Sequence, residues 1–135
     1  MSDLHQNILN YRNPFIGHLG LQCEHAEHGR VVMALDVRPE QRNGAGNAHG
    51  GVVMTMLDAC LGLAAMSTDA QFRLVVTLNL STSFVRAGKG RLVVEGRVVG
   101  GGRSIVFCEG EIRDEEGAVV ATAQGSFKFT RPQAD

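Results

Sequence analysis

The chain has 135 residues, of which 44% are hydrophobic and 20% are charged, and this composition excludes extended disorder. One domain of this size buries enough surface to fold without a disulfide or a structural metal. The net charge of −1, from 13 basic and 14 acidic residues, argues against a nucleic-acid partner.

The sequence contains no pattern typical of secretion, membrane insertion or metal binding. Its three cysteines have no regular spacing, and residues 1–13 lack the order of charges and apolar residues in a signal peptide. The longest apolar stretch, 52–66, contains Asp58 and is too short to cross a membrane. Cys23, His25 and His28 lack the paired spacing of zinc ligands, so we expect a loop there and no metal site. We therefore expect a cytoplasmic protein without a membrane partner.

The first half of the chain predicts a short helix, a strand and a shaped loop. The helix is expected over residues 2–11 and ends before Asn13-Pro14, because a residue that precedes proline avoids the α region. A β-branched strand follows over 31–37. The segment 42–51 then contains four glycines in ten residues, which is typical of a loop whose backbone conformation matters.

The second half predicts one long helix followed by strands. The helix covers 50–67, and its side chains over 52–66 are apolar apart from Thr55 and Asp58, so it must be buried on nearly every face. Strands with glycine turns between them are expected over 75–85, 92–99, 105–113 and 118–129. In the first of these, Val76, Leu78 and Leu80 alternate with Thr77, Asn79 and Ser81. One strand before the helix and four after it indicate an α+β domain, in which an antiparallel sheet wraps a central helix about 25 Å long.

Asp58 is the candidate catalytic residue. On the helix, its face offers only Thr55 as a nearby polar partner. A buried carboxylate is costly unless it is paired or functional. The alternative is structural: Asp58 would bond a backbone group of a neighbouring strand and only set the orientation of the helix.

His49, Gly50 and Gly51 lie where the helix begins, and free N–H groups and the helix dipole favour negative charge there. The two glycines would let a carbonyl approach these amides, as in an oxyanion hole, although a plain glycine turn is the alternative. Asp58 lies about 10 Å beyond Gly51 along the axis, whereas reacting atoms must come within about 3–3.5 Å. We therefore expect a homodimer in which one copy supplies Asp58 and the other the glycine loop.

The pattern Asn43-x-x-Gly46-x-x-His49-Gly50-Gly51 followed by Asp58 resembles the PaaI-type hotdog-fold acyl-CoA thioesterases. The segments 76–86, 102–103 and 109–127 also fit, so the resemblance covers roughly residues 15–130 of a single domain, 1–135. It implies a hotdog fold of five to six strands around one helix. It further implies hydrolysis of a medium-chain or aromatic acyl-CoA to acid and coenzyme A, without a cofactor, by a homotetramer whose minimal active unit is a homodimer.

The resemblance also implies roles for individual residues. Asp58 would be the nucleophile or the general base, and the Gly51 amide of the neighbouring subunit would polarise the thioester carbonyl. Asn43 would hold the carboxyl product or the water, and His49 would position the loop and the thioester. Apart from these roles, we expect substrate binding at Gly50, Met54, Thr55, Gly62, Arg86, Arg91, Gly102, Arg103 and Ser104. The arginines suit coenzyme A phosphates, although a solvated strand edge is the alternative.

Two other functions stay open at this point. A non-catalytic acyl-CoA-binding hotdog protein would use the same fold, but it gains little from burying a carboxylate beside a thioester. A hotdog hydratase or dehydratase needs a positioned pair of His and Asp or Glu, whereas the thioesterase pattern accounts for both His49 and Asp58. The sequence leaves open the acyl chain and the choice between nucleophile and general base for Asp58.

Overall fold

The computed structural model describes residues 3–10 and 13–131. Two short helices come first, α1 (Asp3–Asn10) and α2 (Pro14–Leu19), and a 3-10 turn lies at Pro39–Gln41. The long helix is α3 (Gly50–Met66), and the strands are β1 (Gln22–Glu27), β2 (Arg30–Asp36), β3 (Val75–Phe84), β4 (Arg91–Gly101), β5 (Ile105–Arg113) and β6 (Val119–Phe129). The strands form one antiparallel sheet in the order β1-β2-β4-β5-β6-β3, and α3 packs against it. The predicted α+β architecture is confirmed.

Two elements near the amino terminus differ from the predictions. The segment after Asn13 is a helix, because the Asn13 side chain accepts a hydrogen bond from the Ile16 N–H (3.3 Å) and Pro14 occupies the first helical position. The expected loop around Cys23 is strand β1, so two strands rather than one precede α3. Most of the β1 side chains are polar and exposed, and for this reason the strand lacks a clear apolar alternation. Residues 2 and 11 of the predicted leading helix lie outside the described residues.

Helix α3 matches its predicted span but is buried unevenly. It begins at His49, whose Nδ1 accepts a hydrogen bond from the Gly51 N–H (2.9 Å), as an N-cap does. From Cys60 to Met66 every residue is buried, whereas Gly51 and Met54 near its start are exposed. The sheet of one chain therefore covers the second half of α3 and leaves part of the first half open. None of the helices in the described chain is both long and apolar enough to span a membrane.

The middle of α3 lies against a row of small residues that crosses three neighbouring strands. Gly96 pairs with Gly110, and Gly110 pairs with Ala123. A Cβ added to Gly96 would lie 3.0 Å from the carbonyl oxygen of Cys60, and one added to Gly110 would lie 2.7 Å from the Leu61 side chain. The Cys60 backbone therefore approaches β4, and the Leu61 side chain approaches β5, more closely than a side chain at Gly96 or Gly110 would allow. This contact sets the position of the helix, and hence of Asp58.

The turn after α3 anchors the start of β3. The Asp69 carboxylate accepts hydrogen bonds from the backbone N–H of Arg73 (2.9 Å) and from its guanidinium (3.1 and 3.2 Å). These bonds hold the pKa of Asp69 below its usual value. The Arg73 guanidinium also lies 4.7 Å from the ring centroid of Phe129, which pairs with Val75 at the first position of β3. The first residues of β3 are therefore fixed relative to the end of α3.

The close approach of α3 to β4 predicts that Gly96→Ala destabilises the fold. The added methyl group forces the Cys60 backbone away, and overpacking of this kind costs about 1–3 kcal/mol. Gly100→Ala is the matched control, because it lies on the same strand and its Cβ would meet nothing within 4 Å. Urea denaturation measures both variants. Equal unfolding midpoints for the two would contradict the packing described here.

Candidate active site

Asp58 is half-buried on the side of α3 that faces β3. Its Oδ1 accepts a hydrogen bond from the Oγ1 of Thr77 at 2.6 Å. Thr55, the polar neighbour on the same helix face, is engaged elsewhere, because its hydroxyl donates to the Gly51 carbonyl within the helix (2.7 Å). The carboxylate is therefore held by a side chain of the neighbouring strand. One of its oxygens is positioned by this bond, while the other has no hydrogen bond to any residue that the structure describes.

Thr77 faces α3 because of a bulge in β3. Thr77 pairs with Phe127, whose buried ring lies against the helix at Gly62. The register then shifts between Thr77 and Asn79, so that Leu80 faces inward two residues after Leu78 faces out. The alternation in the sequence places Thr77 with Asn79, on the side opposite to Leu80. Thr77 can be recognised as the partner of Asp58 only once the position of the bulge is known, and the sequence does not show that position.

A cavity of about 140 Å³ lies beside Asp58. Gly62, one turn further along α3, contributes to its wall, as do Val75 and Thr77 from β3. Asn13 and Ile16 close it from the side of α2. Of the predicted substrate-binding positions, the structure therefore brings Gly62 to the carboxylate, and it adds α2 residues that the sequence analysis did not include.

A second cavity, of about 280 Å³, lies at the start of α3. Asn43, Asn47, Gly50, Phe84 and Arg86 line it. The Oδ1 of Asn43 accepts hydrogen bonds from the N–H groups of Ala45 (3.0 Å) and Asn47 (3.1 Å) and so closes the loop before the helix. Asn47 was missed by the sequence analysis. Its buried Oδ1 has no hydrogen-bond partner among the described residues, which is uncommon for a buried polar atom.

The two cavities of one chain are separate, and β3 runs between them. None of the described residues lines both. A Cβ on Gly62 would lie 3.5 Å from Val75 at the first residue of β3, and one on Gly50 would lie 3.6 Å from Phe84 at its last residue. The carboxylate and the start of the helix are therefore at opposite ends of the same strand. In a single chain, they do not face one another.

The remaining predicted residues are distributed over the surface. Met54 is 40% exposed on the open side of α3. Arg86 joins the cavity at the helix start, and its Nε donates to the Val119 carbonyl (2.9 Å). Arg91 is elsewhere, paired with Glu24 (2.6 Å) and Asp36 (3.4 Å), and the bond to Glu24 raises its pKa. Gly102, Arg103 and Ser104 form the exposed turn between β4 and β5.

Comparisons with known proteins agree with this architecture. The sequence model of the family described as the thioesterase superfamily matches residues 45–121, which is more than half of the chain. The chain belongs to the thioesterase superfamily. It is 32% identical over 115 residues to "Putative esterase SSO2140" of Saccharolobus solfataricus, a match that covers 84% of this chain and 81% of the relative.

Solved structures show the same fold. A conserved protein of Pseudomonas aeruginosa, PA5202, superposes with a TM-score of 0.83 at 28% identity, over 88% of this chain and 95% of the other. The Escherichia coli PaaI protein, from the phenylacetic acid degradation operon, superposes with a TM-score of 0.85 at 20% identity, over 93% and 91% of the two chains. The hotdog fold and the PaaI-type resemblance are confirmed. The chain is a hotdog thioesterase, and thioester hydrolysis is the chemistry of its family.

Proposed function

We propose that this thioesterase hydrolyses acyl-CoA in the cytoplasm, at a site shared by two copies of the chain. Asp58 of one copy acts on the thioester, and the start of α3 in the other copy binds the thioester oxygen. The observation that carries the proposal is the separation of the two parts. Asp58 and Gly50 line different cavities, next to opposite ends of β3.

The edge of the sheet formed by β3 is suited to a second copy. The opposite edge, β1, has only six residues, and α1 packs beside it. In contrast, β3 is ten residues long, and its outward side chains Val76 and Leu78 are 49% and 50% exposed. A long apolar edge strand binds another strand unless it is protected. Pairing of two β3 strands would cover this edge and continue the sheet from one copy into the other.

The direction of such pairing brings the two parts of the site together. A two-fold axis at the middle of β3 makes the two strands antiparallel. The Val75 end of one strand then lies beside the Phe84 end of the other. Since Asp58 is near the first end and Gly50 near the second, the carboxylate of each copy faces the helix start of the other. The dimer would contain two equivalent sites.

Two reaction routes fit this arrangement. Asp58 either attacks the thioester carbon, which releases the coenzyme A thiolate and leaves an anhydride that water hydrolyses, or it takes a proton from the water that attacks that carbon. In both routes Thr77 fixes one carboxylate oxygen and leaves the other for the reaction. The negative charge that develops on the thioester oxygen is stabilised by the helix start. The Gly51 N–H must exchange its bond to His49 for this oxygen, which gives His49 a positioning role.

The arginines suggest where coenzyme A lies. Arg86 borders the helix-start cavity near the Phe84 end of β3. Arg103 lies in the turn after β4. The backbone carbonyl of the next residue, Ser104, accepts a hydrogen bond from the Phe129 N–H, and Phe129 pairs with Val75, so this turn is near the Val75 end of β3. In the paired dimer, Arg103 of one copy and Arg86 of the other therefore approach the same site. Arg91 is engaged by two carboxylates and lies apart from both, so we propose Arg86 and Arg103 as the phosphate-binding pair.

The outer face of the sheet supports assembly of two dimers into a homotetramer. Val99 and Phe107 are exposed on that face, and they line a shallow groove of about 350 Å³ with polar residues of β3 and β6. Arg97 lies next to this groove and bonds Glu111 (2.9 Å) and Glu109 (3.4 Å). Exposed apolar side chains beside a bonded charge network are suited to contact with another copy.

The proposed role of Asp58 predicts that Asp58→Asn lowers kcat for acyl-CoA hydrolysis at least a hundredfold while binding of acyl-CoA persists. The change keeps the side-chain volume and removes the group that attacks the thioester or activates water. Release of the coenzyme A thiol from a panel of acyl-CoA thioesters measures it. Asp36→Asn is the matched control, because Asp36 is exposed and lines neither cavity. Native rates in folded Asp58→Asn would instead support the purely structural role for this carboxylate.

A further inference from the structure

A third cavity, of about 640 Å³, lies between α1, α2, the first two strands and the end of α3. Its wall is mainly apolar: Ile8 comes from α1, Ile16 from α2, Leu21 from the segment before β1, Met33 from β2 and Leu63 from α3. The polar side chains of Asn13, Gln22 and Cys23 also border it. Among the described residues of its wall none is charged. Its size falls within the range of about 300–1,000 Å³ that is typical of sites for small organic ligands.

This cavity adjoins the one beside Asp58. Asn13, Ile16 and Leu63 line both of them. Leu63 lies five residues beyond Asp58, about 7.5 Å along the axis of α3. A ligand bound at Asp58 therefore meets the large cavity on the side away from the start of the helix. Within the described residues, Asn13, Ile16 and Leu63 are the wall that the two spaces share.

The two cavities differ in size, so each would hold a different part of an acyl group. The space beside Asp58, about 140 Å³, is less than a quarter of the volume of the larger cavity, about 640 Å³. It has room for the first few carbons beyond the thioester. A longer acyl chain has to continue elsewhere, and the cavity next to it, with its mainly apolar wall, offers such a space.

We propose that the cavity under α1 and α2 binds the distal end of the acyl chain and makes the enzyme selective for acyl groups of about eight or more carbons. This inference rests on the proposed function and adds the substrate class to it. Each methylene buried there is worth about fourfold in affinity. The amino-terminal helices then act as the wall that determines chain length, a role that nothing in the glycine loop or around Asp58 implies.

The reactivity of the Cys23 thiol can show whether a ligand occupies this cavity. Its thiol is half-buried in the wall, whereas Cys60 and Cys108 are buried in the core, where burial raises the pKa of the Cys108 thiol to about 12 and that of Cys60 still further from its usual value. Alkylation by iodoacetamide, followed by mass spectrometry, therefore measures access to Cys23. Cys23→Ser, which removes that thiol, is the control for labelling elsewhere.

The test uses two thioether analogues that cannot be hydrolysed, S-dodecyl-coenzyme A and S-ethyl-coenzyme A, with binding of each measured by calorimetry. At saturation, the dodecyl compound should slow alkylation of Cys23 at least tenfold, and the ethyl compound should leave its rate within twofold. If the dodecyl compound binds and the alkylation rate stays the same, the acyl chain lies elsewhere and the inference is wrong. If neither compound binds, the proposed acyl-CoA function fails and the inference fails with it.

A substitution in α2 tests the selectivity itself. Gly17 lines the cavity, and a Cβ on it would meet nothing within 4 Å, so Gly17→Leu adds an apolar side chain to the wall at a point where its first carbon is unobstructed. We expect the ratio of kcat/KM for dodecanoyl-CoA to that for hexanoyl-CoA to fall at least tenfold. Gly100→Leu is the matched control, since its Cβ is equally unobstructed and it is not part of the cavity wall. An unchanged ratio in Gly17→Leu, with the native melting temperature, would overturn the inference.

Discussion

The contact between the middle of α3 and the glycines of β4 and β5 determines the rest of the site. Gly96 and Gly110 let the helix lie so close to the sheet that Cys60 and Leu61 touch its backbone surface. Asp58 is half a turn before Cys60, so its height above the sheet is set by the same contact. Thr77 then reaches the carboxylate across the gap between helix and strand. If a methyl group between helix and sheet pushed the helix outward, the hydrogen bond between Thr77 and Asp58 would break.

In a single chain, the sheet covers only part of α3. The second half of the helix is enclosed by its own sheet, while the first half and the neighbouring strand β3 keep exposed apolar side chains. The same strand carries Thr77 near Asp58 and Phe84 near Gly50. The uncovered surface and the divided site therefore have a common explanation in the proposed dimer. In that proposed dimer, a second copy would cover the edge of β3 and would bring each carboxylate to a helix start.

Much of the fold could be predicted because local signals agree with the tertiary structure. The apolar run of α3 and the glycine turns between the last strands gave nearly the observed spans. The elements that escaped prediction are those in which a few polar residues decide the structure. Asn13 and Pro14 start a helix where a stop was expected, and β1 shows little apolar alternation because most of its side chains face solvent.

The site was predictable only in part, for a related reason. Asp58 stands out as a carboxylate in an apolar helix, and the glycine loop marks the start of that helix. Thr77 could not be identified because a bulge changes which side of β3 faces the helix. Arg91 resembled the other arginines in sequence, yet Glu24 and Asp36 lie close enough to bind it. Such pairings depend on the register of distant strands, which periodicity does not determine.

Mixed dimers test the shared site most directly. Asp58→Asn removes the carboxylate, and Gly51→Pro removes the N–H at the helix start, where proline in the first turn is tolerated. Each variant alone should be inactive. Refolded together at equal amounts, they should recover about a quarter of native thiol release, since about half of the dimers are mixed and each of these has one intact site. Mixed dimers without activity, demonstrated by differential tags, would contradict a site built from two copies of the chain.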